Sequence, residues 1–356
     1  MVRMPDEEGA PGSPSREERD DGPPAPAETG SVHLPDGLVL EAEPPIVPCH
    51  VGYEWMGNRN GPVVVVLGGI SADRHVSSHE ADRAPGWWEA FAGPGRPLDT
   101  DVYRIVGVDW IGGPGSSSAP ARRPSAQGIP AITTRDQAAA VTAVLDHLGA
   151  SRAHAVVGAS YGAMVALAFG ERFGSRAERL LVISGAHQSH PMATGLRALQ
   201  RQIVLLGMDG GDARRALVLA RALAMTTYRS PNEFLARFPN EPRKDGEAYR
   251  FPVEDYLSHQ GEKFASRFDP DHFLYLCQSL DLHRIEPREV SPPTTLLAVE
   301  EDNLVPLWQM QELHDGIPDS ELVVIQSRTG HDAFLVEEEE VSRLVRRVLD
   351  APAVGA

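Results

Sequence analysis

The segment AHAVVGASYGAMVALAFGERFG, residues 153–174, runs from a short apolar stretch through a turn of small residues straight into a long apolar helix. Few folds accommodate that combination. A Val/Ala run without polar alternation suits a strand covered on both faces, the environment of a parallel sheet. Runs of the same kind recur at PVVVVLGG, VYRIVGVDW, RLLVISG, TTLLAVEE and ELVVIQS. Helical patterns separate several of them, in TRDQAAAVTAVLDHLG, YGAMVALAFGERF and VEEEEVSRLVRRVLD. This alternation predicts an open, mostly parallel α/β sheet with flanking helices.

The rhythm breaks once. Across residues 187–290 the chain offers helical stretches, GLRALQRQIVLLG, GGDARRALVLARALAMTTY and NEFLARF, with no convincing buried strand before the sheet resumes at TTLLAVEE. The interval reads as a helical lid over the carboxyl ends of the strands, dividing the sheet domain into 33–186 and 291–356. Residues 1–32, rich in Pro, Gly, Glu and Asp, read as a disordered leader. An antiparallel pair of edge strands is then expected around LVLEAEPPIVPCHVGYEWMG.

With 356 residues and 42% hydrophobic content the chain can bury a large core. Its net charge of −17 argues against a nucleic-acid partner, which needs a basic footprint. Two distant cysteines, Cys49 and Cys277, indicate neither a disulfide framework nor a zinc site, and the histidines lack HExxH spacing, so no metal is expected. There is no apolar signal segment and no run of about 18 apolar residues, so neither secretion nor membrane spanning is expected. The expected location is the cytoplasm.

Within GASYG, Gly158–Gly162, Ser160 occupies the centre of a GxSxG turn between a buried strand and a helix. Such an elbow strains the serine above the sheet, and the flanking glycines let strand and helix backbones approach. A serine hydroxyl needs a base, itself oriented by a carboxylate, and the partners follow in the order acid, then histidine. Of thirteen histidines, only His331, in SRTGHDAFL, lies beyond the last predicted strand. The acid should end the preceding strand, where Glu300, Glu301 and Asp302 compete; Asp302 leads the loop DNLVP and is favoured. An oxyanion would be met by the backbone N–H of Tyr161 and by that of Ile70 in LGGISADRHV, although the glycine pair there also suits an ordinary strand-end turn.

Several separated motifs carry a family resemblance. ISADRHV, GWWEAFAGPGRPLDTDVYRIVGVD, GASYGAM, LQRQIV, TTYRS and TGHDAFL together resemble the homoserine O-acyltransferases of the α/β-hydrolase fold, over most of the chain after the leader. The resemblance implies an acyl-serine intermediate on Ser160, with Asp302 as orienting acid and His331 as base. It implies acetyl-CoA, or failing that succinyl-CoA, as donor co-substrate, with no permanently bound cofactor. Homoserine is the implied acceptor, serine a variant, and a homodimer the implied assembly.

By the same resemblance Arg221 and Asp332 contact substrate. Arg221 is the only charge between Ala216 and Tyr228, so it needs a carboxylate partner: the substrate's α-carboxylate, or a structural salt bridge. Asp332 would take the α-ammonium, unless it is a solvated loop carboxylate; Arg201 and Arg229 are secondary candidates. The chain departs from the family at DWIGGPGSSSAP, where Asp109 replaces an asparagine and the cysteine is missing, and at Tyr161, usually methionine. These changes are expected to bear on donor and acceptor identity. A lid-bearing esterase or thioesterase, and an idle binding protein of the same fold, stand as the alternatives.

Overall fold

The computed structural model describes residues 25–122 and 128–352. Eight strands form one sheet: β1 (Ala27–Leu34), β2 (Cys49–Gly57), β3 (Val63–Leu67), β4 (Arg104–Val108), β5 (Ala155–Ala159), β6 (Leu180–Ile183), β7 (Thr294–Val299) and β8 (Ser320–Ile325). Their order across the sheet is β1-β2-β4-β3-β5-β6-β7-β8. Only the β1–β2 and β2–β4 pairings are antiparallel; β4–β3, β3–β5, β5–β6, β6–β7 and β7–β8 are parallel. This is the expected α/β architecture.

Two cores explain the uninterrupted apolar runs. Val65 and Leu67 of β3 and Val156 of β5 point into the core on one face, while Val64, Val66, Val157 and Ala159 point into the other. Helices α1 (Thr134–His147) and α2 (Tyr161–Phe173) cover the first face. Trp88, Phe91 and the terminal helix Glu338–Leu349, with Val341, Leu344, Val345 and Val348 inward, cover the second. Helix α1 starts on a capping box, Thr133 and Asp136 each accepting from the other's backbone N–H.

The first strand lies elsewhere than expected. Residues 27–34, of which 27–32 read as leader from the sequence, form β1 and pair along their full length with β2. The segment 35–48 contributes only a single bridge, Leu38 to Ile46. Pro44, Pro45 and Pro48 have no N–H to give a ladder, so the pairing moved upstream to a proline-free stretch. Residues 1–24 lie outside the described residues.

Between β6 and β7 come helices α3 (Pro191–Gly210), α4 (Ala213–Tyr228), α5 (Pro231–Arg237), α6 (Pro252–Ala265) and α7 (Pro270–Leu282), with a small exposed hairpin, Arg243–Asp245 and Ala248–Arg250. Proline at the first helical position starts α3, α5, α6 and α7 where its missing N–H costs nothing, and Gly211 at φ 81° ends α3. Helix α8 (Leu307–Gly316) joins β7 to β8. No helix among the described residues is long and apolar enough to cross a membrane.

Candidate active site

Ser160 sits between β5 and α2 with φ 56° and ψ −116°, a region that non-glycine residues rarely occupy. Its neighbours make the turn possible. A Cβ on Gly158 would lie 2.2 Å from the carbonyl oxygen of Gly162, and one on Gly162 would lie 2.1 Å from that of Leu67. Both positions therefore admit only hydrogen, and the strained serine projects from the carboxyl end of the sheet.

Ser160 Oγ lies 2.8 Å from His331 Nε2, and His331 Nδ1 lies 2.7 Å from Asp302 Oδ2. The other carboxylate oxygen of Asp302 accepts the backbone N–H groups of Leu304 (2.8 Å) and Val305 (2.9 Å). With that oxygen committed, Oδ2 must accept from His331 Nδ1–H, which leaves the Nε2 lone pair of the neutral ring facing the serine hydroxyl. Burial is the largest influence on His331 and lowers its pKa. The charge of Asp302, the hydrogen bond to it and the charge of Asp332 together outweigh burial, so the net direction is upward from 6.5. Glu300 and Glu301 point elsewhere: Glu300 accepts from Gln326 and Glu301 from the backbone N–H of Ser327.

Neither Ile70 nor Tyr161 uses its backbone N–H in a hydrogen bond among the described residues, and a Cβ on Gly69, beside Ile70, would lie 3.9 Å from Ser160 Oγ. Two N–H groups at a helix start and a strand end thus flank the serine, the arrangement an oxyanion requires.

Two cavities open on Ser160 and His331. One is lined by Met164, Ser184, Arg197, Gln200, Cys277 and Gln309, among others. The other, more open, holds Arg221, Asp332, Arg229, Arg237, Gln260 and Arg267. Arg221 forms no ion pair among the described residues; its guanidinium lies over Phe264 (4.7 Å) and Tyr228 (5.0 Å) and donates to the Tyr228 hydroxyl at 3.2 Å. No carboxylate among the described residues pairs with it. Asp332 is paired with Arg229 at 3.0 Å. Arg201 faces neither cavity and is bound to Asp281.

Arg197 escaped the sequence reading. It lies one turn before Arg201 on α3, pairs with the same Asp281 at 2.6 Å and donates to Ser189 Oγ at 2.9 Å. Two guanidiniums therefore share one carboxylate, with one positive charge in excess. The sequence shows it only as the first of an i, i+4 arginine pair on α3, of which Arg197 alone lines a cavity.

The two departures from the family lie under the site. Tyr161 is fully buried, edge-on to Trp110 (4.9 Å) and hydrogen-bonded to Ser279 Oγ (2.7 Å), and lines neither cavity. Asp109, 1% exposed, takes a salt bridge from Arg74 at 2.8 Å and also accepts the Arg74 and Ser116 backbone N–H groups. Arg74, from the ISADRHV segment, thus answers the buried charge of Asp109. Contrary to expectation, both departures serve the framework.

One cluster has metal-ligand composition: Glu54, His75 and His79, whose ligand atoms lie within 4.8 Å of one another. Its protons point another way. His75 Nε2 donates to the Ala84 carbonyl (2.7 Å) and Nδ1 to Glu54 (2.9 Å), so the ring carries both protons; its pKa is raised to about 9, chiefly by that bond to Glu54. His79 Nδ1 accepts two backbone N–H groups, from Ala81 and Asp82, which leaves its proton on the Nε2 that faces Glu54. The lone pairs a cation would need are used, and the cluster works as an ion-paired tie between β2 and the loop following Ile70.

The fold and this geometry define a class, the α/β hydrolases with a nucleophilic serine. Residues 62–338 match the family described as alpha/beta hydrolase fold. The chain is 42% identical over 298 residues, 83% of its length and 78% of the relative's, to the homoserine O-succinyltransferase of Xanthomonas campestris pv. campestris. It is 36% identical over 352 residues, 89% of its length and 93% of the relative's, to the homoserine O-acetyltransferase of Thermobifida fusca. The chain belongs to the homoserine O-acyltransferase family. The homoserine O-acetyltransferase of Bacillus anthracis shares its fold, with a TM-score of 0.80 at 19% identity over 92% of this chain and 98% of that one.

Proposed function

We propose that the protein transfers an acyl group from acyl-CoA to the side-chain hydroxyl of homoserine. The observation that carries this reading is the presence, in the more open cavity at Ser160, of Arg221, which has no carboxylate partner among the described residues, together with Asp332, one of whose oxygens is held by Arg229. A free amino acid offers the complementary pair of charges. His331 takes the Ser160 proton as Oγ attacks the thioester carbonyl; the oxyanion sits on the Ile70 and Tyr161 N–H groups. The carbon–sulfur bond breaks, and the proton passes from His331 to the departing thiolate. The homoserine hydroxyl then gives its proton to the same nitrogen as it attacks the acyl-serine, and Ser160 recovers that proton on release.

The other cavity favours a succinyl donor. Besides the excess charge at Arg197, it holds a buried hydroxyl without a hydrogen-bond partner, Ser184 Oγ. An acetyl methyl would leave the charge and the hydroxyl unanswered, whereas a terminal carboxylate answers the charge and can accept from the hydroxyl. Asp281, held by two arginines, cannot also receive an ammonium, so the acceptor amino acid suits this cavity poorly. The 42% identity to a succinyltransferase agrees. A homodimer is supported by an exposed apolar stripe on α3, Met192, Leu199 and Leu206, which sedimentation velocity would test.

The deciding experiment follows CoA release from acetyl-CoA and succinyl-CoA with homoserine, serine or no acceptor, the product identified by mass spectrometry. Release dependent on homoserine is expected. Release indifferent to any amino acid would make the protein a thioesterase instead. Arg197→Met is expected to lower kcat/KM for succinyl-CoA about 100-fold, the loss of a buried ionic hydrogen bond, with acetyl-CoA little affected; equal losses on both donors would remove Arg197 from the donor site.

A further inference from the structure

Five cations ring the outer cavity and the one contiguous with it. Arg221, Arg229, Arg237 and Arg267 line the first, and Arg221, Lys263 and Arg267 the second, which shares Gln260 as well. In a chain of net charge −17 this concentration is local, and α4, α5 and α6 converge to build it. Tyr256, Gln260, Lys263 and Arg267 follow one another at i, i+4, i+7 and i+11 along α6 and just beyond its end, so all four face the cavities.

The carboxylates that answer these cations are few. Asp332 and, at 3.7 Å, Glu233 meet Arg229, and Asp73 meets Arg267 at 3.0 Å. Arg237 and Lys263 have no ion-pair partner among the described residues. Arg237 is instead flattened over the Tyr256 ring at 4.7 Å and the Phe238 ring at 5.3 Å, which fixes its planar donor edge beside the cavity. The acids on α6 itself point elsewhere, Glu262 to Arg214 and Asp255 to Arg243.

An amino-acid acceptor has one carboxylate, for which Arg221 suffices. Arg237, Lys263 and Arg267 remain, too many for that substrate and at the mouth instead of at Ser160. We infer that Arg237, Lys263 and Arg267 form an anchor for the phosphates of the nucleotide end of the acyl donor, with the thioester arm reaching past Arg221 to Ser160. This rests on the acyl-CoA reading above. Bidentate guanidinium contacts and ammonium contacts suit phosphate oxygens, and a positive mouth on a protein of net negative charge steers a polyanion toward it.

The test compares two donors carrying the acyl group that the wild type uses: its CoA thioester and its pantetheine thioester, which lacks the phosphate-bearing nucleotide. Arg237→Gln and Lys263→Gln are expected to raise KM for the CoA thioester about 5- to 20-fold each, as loss of a phosphate contact does, with KM for the pantetheine thioester unchanged. Added salt should raise KM for the CoA thioester alone. Equal KM changes on both donors, or none on either, would overturn the anchor while acyl transfer stands. If the wild type transfers from neither donor, the acyl-CoA reading itself fails; calorimetric titration of CoA onto wild type and variants then still reads the anchor, which falls if CoA binds all of them alike or not at all.

Discussion

Replacing Asp302 by asparagine reverses one hydrogen bond and should abolish turnover with little change in shape. Asp302 Oδ1 accepts from two backbone donors, Leu304 N–H at 2.8 Å and Val305 N–H at 2.9 Å, and Oδ2 accepts from His331 Nδ1 at 2.7 Å. Asparagine has one oxygen. If its amide nitrogen faced the loop, it would set donors against two backbone donors in a site only 4% exposed, so the oxygen must stay with the loop. The NH2 group then faces His331 and donates to Nδ1. That fixes the proton on Nε2, the atom 2.8 Å from Ser160 Oγ, which then cannot act as base. In serine hydrolases the wrong imidazole tautomer lowers kcat about 10⁴-fold, equivalent to about 5.5 kcal/mol of transition-state stabilisation. The assay is homoserine-dependent CoA release by Asp302→Asn, with circular dichroism to establish that the fold is kept. A folded variant retaining a tenth of wild-type turnover would refute the tautomer argument.

Two further outcomes follow from the same neighbourhood. Since His331 must be neutral to accept the serine proton and its pKa is raised, kcat/KM should fall as pH drops through a value above 6.5. Asp332→Asn removes one of the charges that raise it, so a pH–rate profile of that variant should move to lower pH; a profile that stays put or moves up would contradict the assigned cause. Gly162→Ala would press a methyl to 2.1 Å from the Leu67 carbonyl, a clash with backbone that no rotamer relieves, and is expected to cost about 3 kcal/mol or more in urea unfolding. Gly195, whose Cβ would meet nothing within 4 Å, provides the control substitution.

The parallel sheet was legible because its central strands are buried on two faces, and Val63–Leu67 and Leu180–Ile183 therefore read as unbroken apolar runs. The elbow was legible because sterics alone require glycine at 158 and 162. The start of the fold was harder: β1 is AETGSVHL, mostly exposed, an edge strand whose partner, and not its own pattern, makes it a strand. Arg197 was invisible for a different reason. Its significance depends on Asp281, which lies on another helix and which Arg201 also claims, and a count of charges around one carboxylate exists only after folding. The same holds for Arg74 and Asp109, each an oddity alone and a pair only when 35 residues of chain bring them together.

Transfer instead of hydrolysis remains the demand this site has to meet with a triad that serves either. Water reaches an acyl-serine without being held, so an amino-acid hydroxyl prevails only if it is presented in place, where positioning is worth effective molarities of about 10⁵ M or more. In the function proposed above, Arg221 is the fixed end of that arrangement: half-buried, clamped between Phe264 and Tyr228, and without a carboxylate partner among the described residues. Removing it should therefore do more than raise KM. With Arg221→Gln the acyl-serine still forms, because Ser160, His331 and Asp302 are untouched, but the acceptor loses the contact that aims its hydroxyl. CoA release should then persist while the fraction recovered as O-acylhomoserine falls and free acid rises, measured as the ratio of the two products at saturating homoserine. An unchanged ratio would mean that Arg221 only gathers the substrate, and that the hydroxyl is aimed by other groups.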